Sequence, residues 1–139
     1  MKTAYLIGHG NRKLAEFIGL LKERKIKSLI DVRSIPYSRF AYQFNREYLR
    51  KCIEKESITY IYMGDSLGGR REEGFEEYIK SKAFKNAIAK LIEIIRTRII
   101  AIMCAETDYS KCHRRFIGEE LSKQGFSVEN IGQRQKKIA

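Results

Sequence analysis

Ile99-Ile100-Ala101-Ile102-Met103-Cys104-Ala105-Glu106-Thr107-Asp108 passes directly from an apolar run to a polar, chemically reactive cluster. A short continuous apolar run of this kind reads as a strand buried on both faces. On its N-terminal side, Phe84, Ala87, Ile88, Leu91, Ile92 and Ile95 recur at helical spacing behind Ser81, a good cap. On its C-terminal side, Asp108 or Ser110 can cap a helix through Ile117 and Leu121, which Gly125 ends before the alternating strand Phe126 to Ile131. The pattern repeats upstream. Ala4 to Ile7 is a buried strand closed by Gly8-His9-Gly10-Asn11, and Leu14, Phe17, Ile18 and Leu21 form a helical stripe. Ser28 to Val32 is a second strand, and Asn45 can cap a short helix carrying Leu49, Cys52, Ile53 and Glu56. Thr59 to Met63 is a third, alternating strand that runs into the glycine-rich loop Gly64 to Arg71.

Strands alternating with helices imply an α/β fold: one three-layer domain, residues 1–139, with a mostly parallel five-stranded sheet and helices on both faces. Strands one and four look central, and strands three and five look peripheral. Right-handed crossovers with strands one and four at the centre favour the order 3-2-1-4-5, with a ligand crevice at the carboxyl ends between strands one and four.

The 139 residues, 43% hydrophobic, suffice for a core without disulfides or metal, which excludes disorder. No apolar run approaches the roughly 18 residues of a membrane span, and the N-terminus enters a strand rather than a signal-peptide core. No membrane partner and a cytoplasmic location are therefore expected. Three cysteines, an odd number at irregular spacing, point to free thiols. The net charge of +11 favours an anionic partner, either a small molecule or nucleic acid. Abundant Lys, Glu and Ile with scarce Asn and Gln is the bias of a hot habitat, a second source of positive charge. Residues 132–139 read as a basic, frayed tail.

Polar residues of unusual type gather at the predicted carboxyl ends: His9 and Asn11, Asp31 and Arg33, Cys104 and Glu106, with His113 at the next helix start. Cys104 is a candidate nucleophile, because unpaired N–H groups at a helix start stabilise a thiolate. The competing reading is a small apolar residue finishing a core strand, as Cys52 is expected to be on its helix face. Rhodaneses and cysteine phosphatases need an arginine about six residues after the cysteine, where this chain has Ser110. Cys104, Cys112, His113 and His9 could bind zinc, but their spacing is unusual, and a Cys104–Cys112 disulfide does not suit a reducing compartment. No metal or cofactor is expected.

Arg33, Arg39, Arg70, Arg71, Arg114 and Arg115 should rim the crevice and hold phosphate, with Gly68 and Gly69 letting the backbone approach it; alternatively they pair with Asp65, Glu72 and Glu73. Asp31 and Arg33 suit an ion pair, or Asp31 and Glu106 share acid–base work. Tyr37, Phe40, Tyr42 and Phe44 in the long loop could stack on bases, but anchoring the loop to the domain is the preferred reading.

Together, Ile7-Gly8-His9-Gly10-Asn11-Arg12, Asp31-Val32-Arg33-Ser34-Ile35-Pro36-Tyr37-Ser38-Arg39, Phe44-Asn45, Leu67-Gly68-Gly69, Cys104-Ala105-Glu106 and Cys112-His113-Arg114 carry a likeness. The chain resembles the uncharacterised family known as domain of unknown function 488, from about Thr3 to Ile131. Gly10 departs from that family's Ser. The resemblance implies a small α/β protein with motif residues His9, Asp31, Arg33, Ser38, Arg39, Cys104, Glu106, Cys112, His113 and Arg114, and brings no activity with it. The leading expectation is a hydrolase or transferase acting on a nucleotide, nucleic acid or other phosphate-bearing substrate. In it Cys104 or a carboxylate does the covalent or proton-transfer work, Glu106 and Asp31 are the acid–base candidates, His9 tunes or shuttles a proton, and a protonated His113 lowers the pKa of a nearby thiol. Arg33, Ser38, Arg39, Asn11, Gly68, Gly69 and Arg114 bind substrate. A non-catalytic nucleic-acid-binding module and a thiol or metal sensor are the alternatives.

Overall fold

The computed structural model describes residues 2–132, so the expected tail falls almost wholly outside the described residues. Five strands, β1 (Thr3–Gly8), β2 (Ser28–Asp31), β3 (Thr59–Tyr62), β4 (Ile100–Cys104) and β5 (Ser127–Ile131), form one all-parallel sheet. Its helices are α1 (Leu14–Glu23), α2 (Arg46–Glu54), the single turns α3 (Gly64–Leu67) and α4 (Phe75–Tyr78), α5 (Lys82–Thr97) and α6 (Arg114–Lys123). None is long and apolar enough to cross a membrane among the described residues.

The pleat divides the apolar residues between two cores. Ile7, Leu29, Ala101 and Met103 meet Phe17 and Leu21 of α1 and Leu49 and Ile53 of α2. Leu6, Ile30, Ile100 and Ile102 face the opposite way, onto α5 and onto Ile117 and Leu121 of α6. Ser81 caps α5 by accepting the Phe84 N–H at 3.1 Å. Asn45 precedes α2 but makes no side-chain cap, and its Oδ1 instead accepts the Ser38 N–H at 2.8 Å. The helix anticipated from Asp108 begins only at Arg114, since Asp108 caps the preceding 3-10 turn Tyr109–Lys111.

The strand order is 3-2-4-1-5, which corrects the expected 3-2-1-4-5. Apolarity ranks burial well: β4 is buried at every position and lies at the centre, while β3 and β5 lie at the edges. What fails is the placement of β1 beside β2. The connections through α1 and α6 each step over one strand, so the most apolar strand inserts between β1 and β2.

The register aligns the strand ends, pairing Gly8 with Cys104 and Asp31 with Met103. Beyond these ends the loops zip together, with His9 N–H donating to Cys104 O and Gly10 N–H to Ala105 O, both at 2.9 Å. Gly8 makes this possible, because a Cβ there would overlap the Glu106 carbonyl and the backbone of Thr107. Gly8→Ala should therefore cost about 2–3 kcal/mol by forcing the two loops apart. Urea melts would show it as a lower midpoint at unchanged slope.

Candidate active site at the carboxyl ends of the strands

A cleft of about 430 Å³ opens over these ends. Arg33, Tyr37, Gly69, Arg70, Cys104, Glu106, Lys111, Cys112 and His113 are among its lining. Three cations thus face one carboxylate, the balance expected of a site for an anion.

Asp31 and Arg33 form the most densely bonded pair of the site. The Asp31 carboxylate is fully buried and accepts from Arg33 N at 3.0 Å, Arg33 Nε at 2.9 Å and Arg33 Nη2 at 2.8 Å. It also accepts from the Tyr60 hydroxyl at 2.5 Å, and burial together with this carboxylate pushes the phenol's pKa upward. Tyr60 is a member of the site that sequence reasoning missed. The available signal was the period of two, which puts it on the same face of β3 as Tyr62, the face that packs on the core.

The remaining Nη1 of Arg33 lies 3.3 Å from His9 Nε2. His9 Nδ1 is 2.8 Å from Gly10 O, and the ring stacks on Phe44 at 4.4 Å. A carbonyl oxygen only accepts, so Nδ1 carries the proton and Nε2 accepts from Arg33. Burial agrees, holding the His9 pKa down to about 4. The guanidinium carries five N–H groups, of which these bonds use three. Two remain beyond these bonds, on a side chain that lines the cleft.

The folded protein resists protonating His9, whereas the unfolded chain protonates it near 6.5. Stability should therefore fall as pH drops from about 6.5 towards 4 and level off below, by about 3 kcal/mol in total. Burial lowers the His113 pKa as well and adds to the same slope. Thermal melts of His9→Gln across this range should show a visibly flatter dependence.

Cys104 and Cys112 do not stay apart as the expected free thiols: their sulfurs are paired at 2.32 Å, and Cys52 alone is free. Arg114, fully buried, ties this corner together. Its Nε donates to Asn130 Oδ1 at 3.2 Å, its Nη2 to Thr107 O at 3.1 Å, and its Nη1 to Glu106 O and to Cys104 Sγ, the latter at 2.8 Å. Burial lowers its pKa to about 10. Its backbone N–H, at the start of α6, donates to Cys112 Sγ at 3.4 Å. The cationic neighbour of Cys104 is thus Arg114. His113 favours the neutral form and is held by Val32 O, 3.1 Å from its Nε2.

The other anticipated residues divide clearly. Arg70 and Lys111 line the cleft with Arg33, whereas Arg71 clamps Gly68 O and Asp65 O and covers Tyr78, and Arg115 lies over Phe116. Gly69 lines the cleft with its Cα face against His113, while Gly68 leaves room for Ser34 Oγ. Glu106 is exposed at the cleft, its carboxylate accepting the Asp108 N–H at 3.0 Å. Asn11 is exposed in the turn after β1. Ser38 shapes the long loop by accepting the Phe40 N–H at 3.0 Å, and Arg39 lies over the Phe40 ring. Of that loop's aromatics only Phe44 is buried as an anchor. Tyr37, Phe40 and Tyr42 are exposed, contrary to the preferred reading of the sequence. Among the described residues no three His, Cys, Asp or Glu side chains converge as they would on a metal ion.

Fold and site together define a parallel α/β protein with a basic, cysteine-containing cleft at the carboxyl ends of its strands. Its sequence matches the family profile of the domain of unknown function DUF488 over residues 13–121, and the chain belongs to that family. No protein with a curated description and no solved structure matches it.

Proposed function

We propose that the protein is a hydrolase or transferase acting on a nucleotide, nucleic acid or other phosphate-bearing substrate, with Cys104 as nucleophile. The reading rests above all on Arg114. A buried guanidinium is costly unless an anion faces it, and Arg114 joins none of the ion pairs of the described residues. Its Nη1 points instead at the Cys104 sulfur. The Glu106 and Asp108 carboxylates act on this guanidinium without bonding to it, so in the reduced protein a Cys104 thiolate is its bonded counter-ion, and a stabilised thiolate is a nucleophile at neutral pH.

The free N–H groups of Arg33, with Arg70 and Lys111, hold the phosphate. Asp31, Tyr60 and His9 are out of substrate reach and position Arg33. The Cys104 thiolate attacks phosphorus; an S–P bond forms as the bond to the leaving oxygen breaks, and that oxygen takes a proton from the Glu106 carboxylic acid. Water or an acceptor hydroxyl then attacks phosphorus and gives its proton to the Glu106 carboxylate, and the S–P bond breaks to restore the thiolate. The test is p-nitrophenol release from p-nitrophenyl phosphate and bis(p-nitrophenyl) phosphate by the reduced protein. Turnover that vanishes in Cys104→Ser and falls at least tenfold in Arg33→Met is expected. Full turnover in Cys104→Ser, or none by the parent protein with either ester, overturns the reading.

The paired sulfurs favour a second reading, a thiol sensor in which Cys112 closes on Cys104. It predicts that dithiothreitol releases two thiols and that a hydroperoxide removes them again; thiols unchanged by either reagent would exclude it. As for partners and place, an anionic ligand and a cytoplasmic setting accord with this chemistry, and a single α/β domain is proposed to carry it.

A further inference from the structure

The loop between β2 and α2 contains an arrangement that the proposed chemistry at Cys104 does not use. From Val32 to Arg46 there is no acidic residue, while Tyr37, Phe40 and Tyr42 lie among Arg33, Arg39 and Arg46. These three rings are 57%, 85% and 69% exposed, an uncommon degree for aromatic side chains.

The loop that carries them is braced at several points. Arg46 N–H donates to Pro36 O at 3.0 Å, Ser38 N–H to Asn45 Oδ1, and Gln43 Nε2 to Arg12 O at 2.9 Å. Phe44 is buried against His9 and Phe17. The exposed rings therefore stand on a fixed frame, which reduces the ordering cost of any ligand that uses them. The frame begins at the cleft wall, where Tyr37 and Ile35 face Cys104, and ends at the turn after β1. It thus runs across the same carboxyl-end face as the cations.

Aromatic faces interleaved with arginines, of which Arg39 and Arg46 join no ion pair among the described residues, continuous with a phosphate-sized cationic cleft on a chain of charge +11, match one ligand chemistry. Unstacked bases lie on the rings while the intervening phosphates meet the cations. We infer that Tyr37, Phe40 and Tyr42 form a base-stacking strip that delivers single-stranded nucleic acid to the Cys104 cleft. The inference rests on the proposed phosphate-ester chemistry and names its substrate class. A duplex, whose bases are already stacked on one another, gains nothing from the strip.

The test is fluorescence anisotropy of the reduced protein with a labelled oligothymidylate, with an abasic oligomer of equal length and charge, and with the matching duplex. The oligothymidylate should bind at least tenfold more tightly than either control. Phe40→Ala/Tyr42→Ala should lose at least about thirtyfold of that affinity, the lower bound for two stacking contacts, and keep its abasic affinity and its p-nitrophenyl phosphate turnover. Equal affinity for the base-bearing and abasic oligomers, or a double variant that binds oligothymidylate as the parent does, overturns the strip. A variant that loses binding to phosphatidylglycerol vesicles but not to the oligomer assigns these rings to a lipid surface and overturns it too. If the enzymatic reading fails instead, ester turnover is absent while the preference for bases persists.

Discussion

Asp31→Asn is expected to lower the melting temperature by roughly 10–15 °C, the consequence of removing one partner of a buried ion pair at a cost of about 3–5 kcal/mol. Four donors converge on the carboxylate, three from Arg33 and one from Tyr60. Asparagine keeps the shape but replaces one acceptor oxygen by an NH₂, which then faces a donor. It also leaves the 6%-exposed guanidinium without its counter-ion. The double replacement Asp31→Leu/Arg33→Met removes both charges and should recover most of the loss, since apolar substitutes for a buried pair are often close to neutral. Ester turnover should nonetheless stay low in the double variant, because the cleft has lost its innermost arginine. Thermal melts of the three proteins check the first part. A single variant within about 1 kcal/mol of the parent would show that the network is not what orders this end of the sheet.

The sequence makes strand ends legible, and with them the part of the site that sits directly on them. His9, Asp31 and Cys104 follow runs of buried apolar residues, so their placement on one face needs only the parallel topology. Strand order is less legible because burial ranks strands without naming their neighbours. The ten residues of α1 and its flanking loops span one strand or two equally well. Arg114 is picked out as a substrate-binding rim residue, but its buried role is not legible, for a different reason. Arginine reads as surface, and nothing in Cys112-His113-Arg114 indicates that three carbonyl or amide oxygens and a sulfur will surround it. The exposed aromatics reverse the same bias: large rings in a loop read as anchors, and here Ala41 and Phe44 bury themselves while Tyr37, Phe40 and Tyr42 stay outside.

Arg114→Met should slow alkylation of Cys104 by iodoacetamide in the reduced protein at least tenfold at pH 7. The guanidinium Nη1 is the only cationic donor bonded to the Cys104 sulfur among the described residues. Removing it lets the thiol return towards its ordinary value of about 8.5, and each unit of upward shift reduces the thiolate at neutral pH about tenfold. The substitution also strips a donor from Glu106 O, Thr107 O and Asn130, so a loss of about 2–3 kcal/mol of stability accompanies it. The pH dependence separates the two effects. If charge governs reactivity, the rate of Arg114→Met rises with pH and approaches that of the parent above pH 9, where both carry a thiolate. If Arg114 only tethers the loop, the two profiles keep the same midpoint and differ by a constant factor at every pH. Arg114→Lys sharpens the distinction, because an ammonium retains the charge but cannot span the carbonyls and the sulfur with a fixed fork. Its midpoint should therefore lie between the parent and the methionine variant, while its stability falls close to that of the latter.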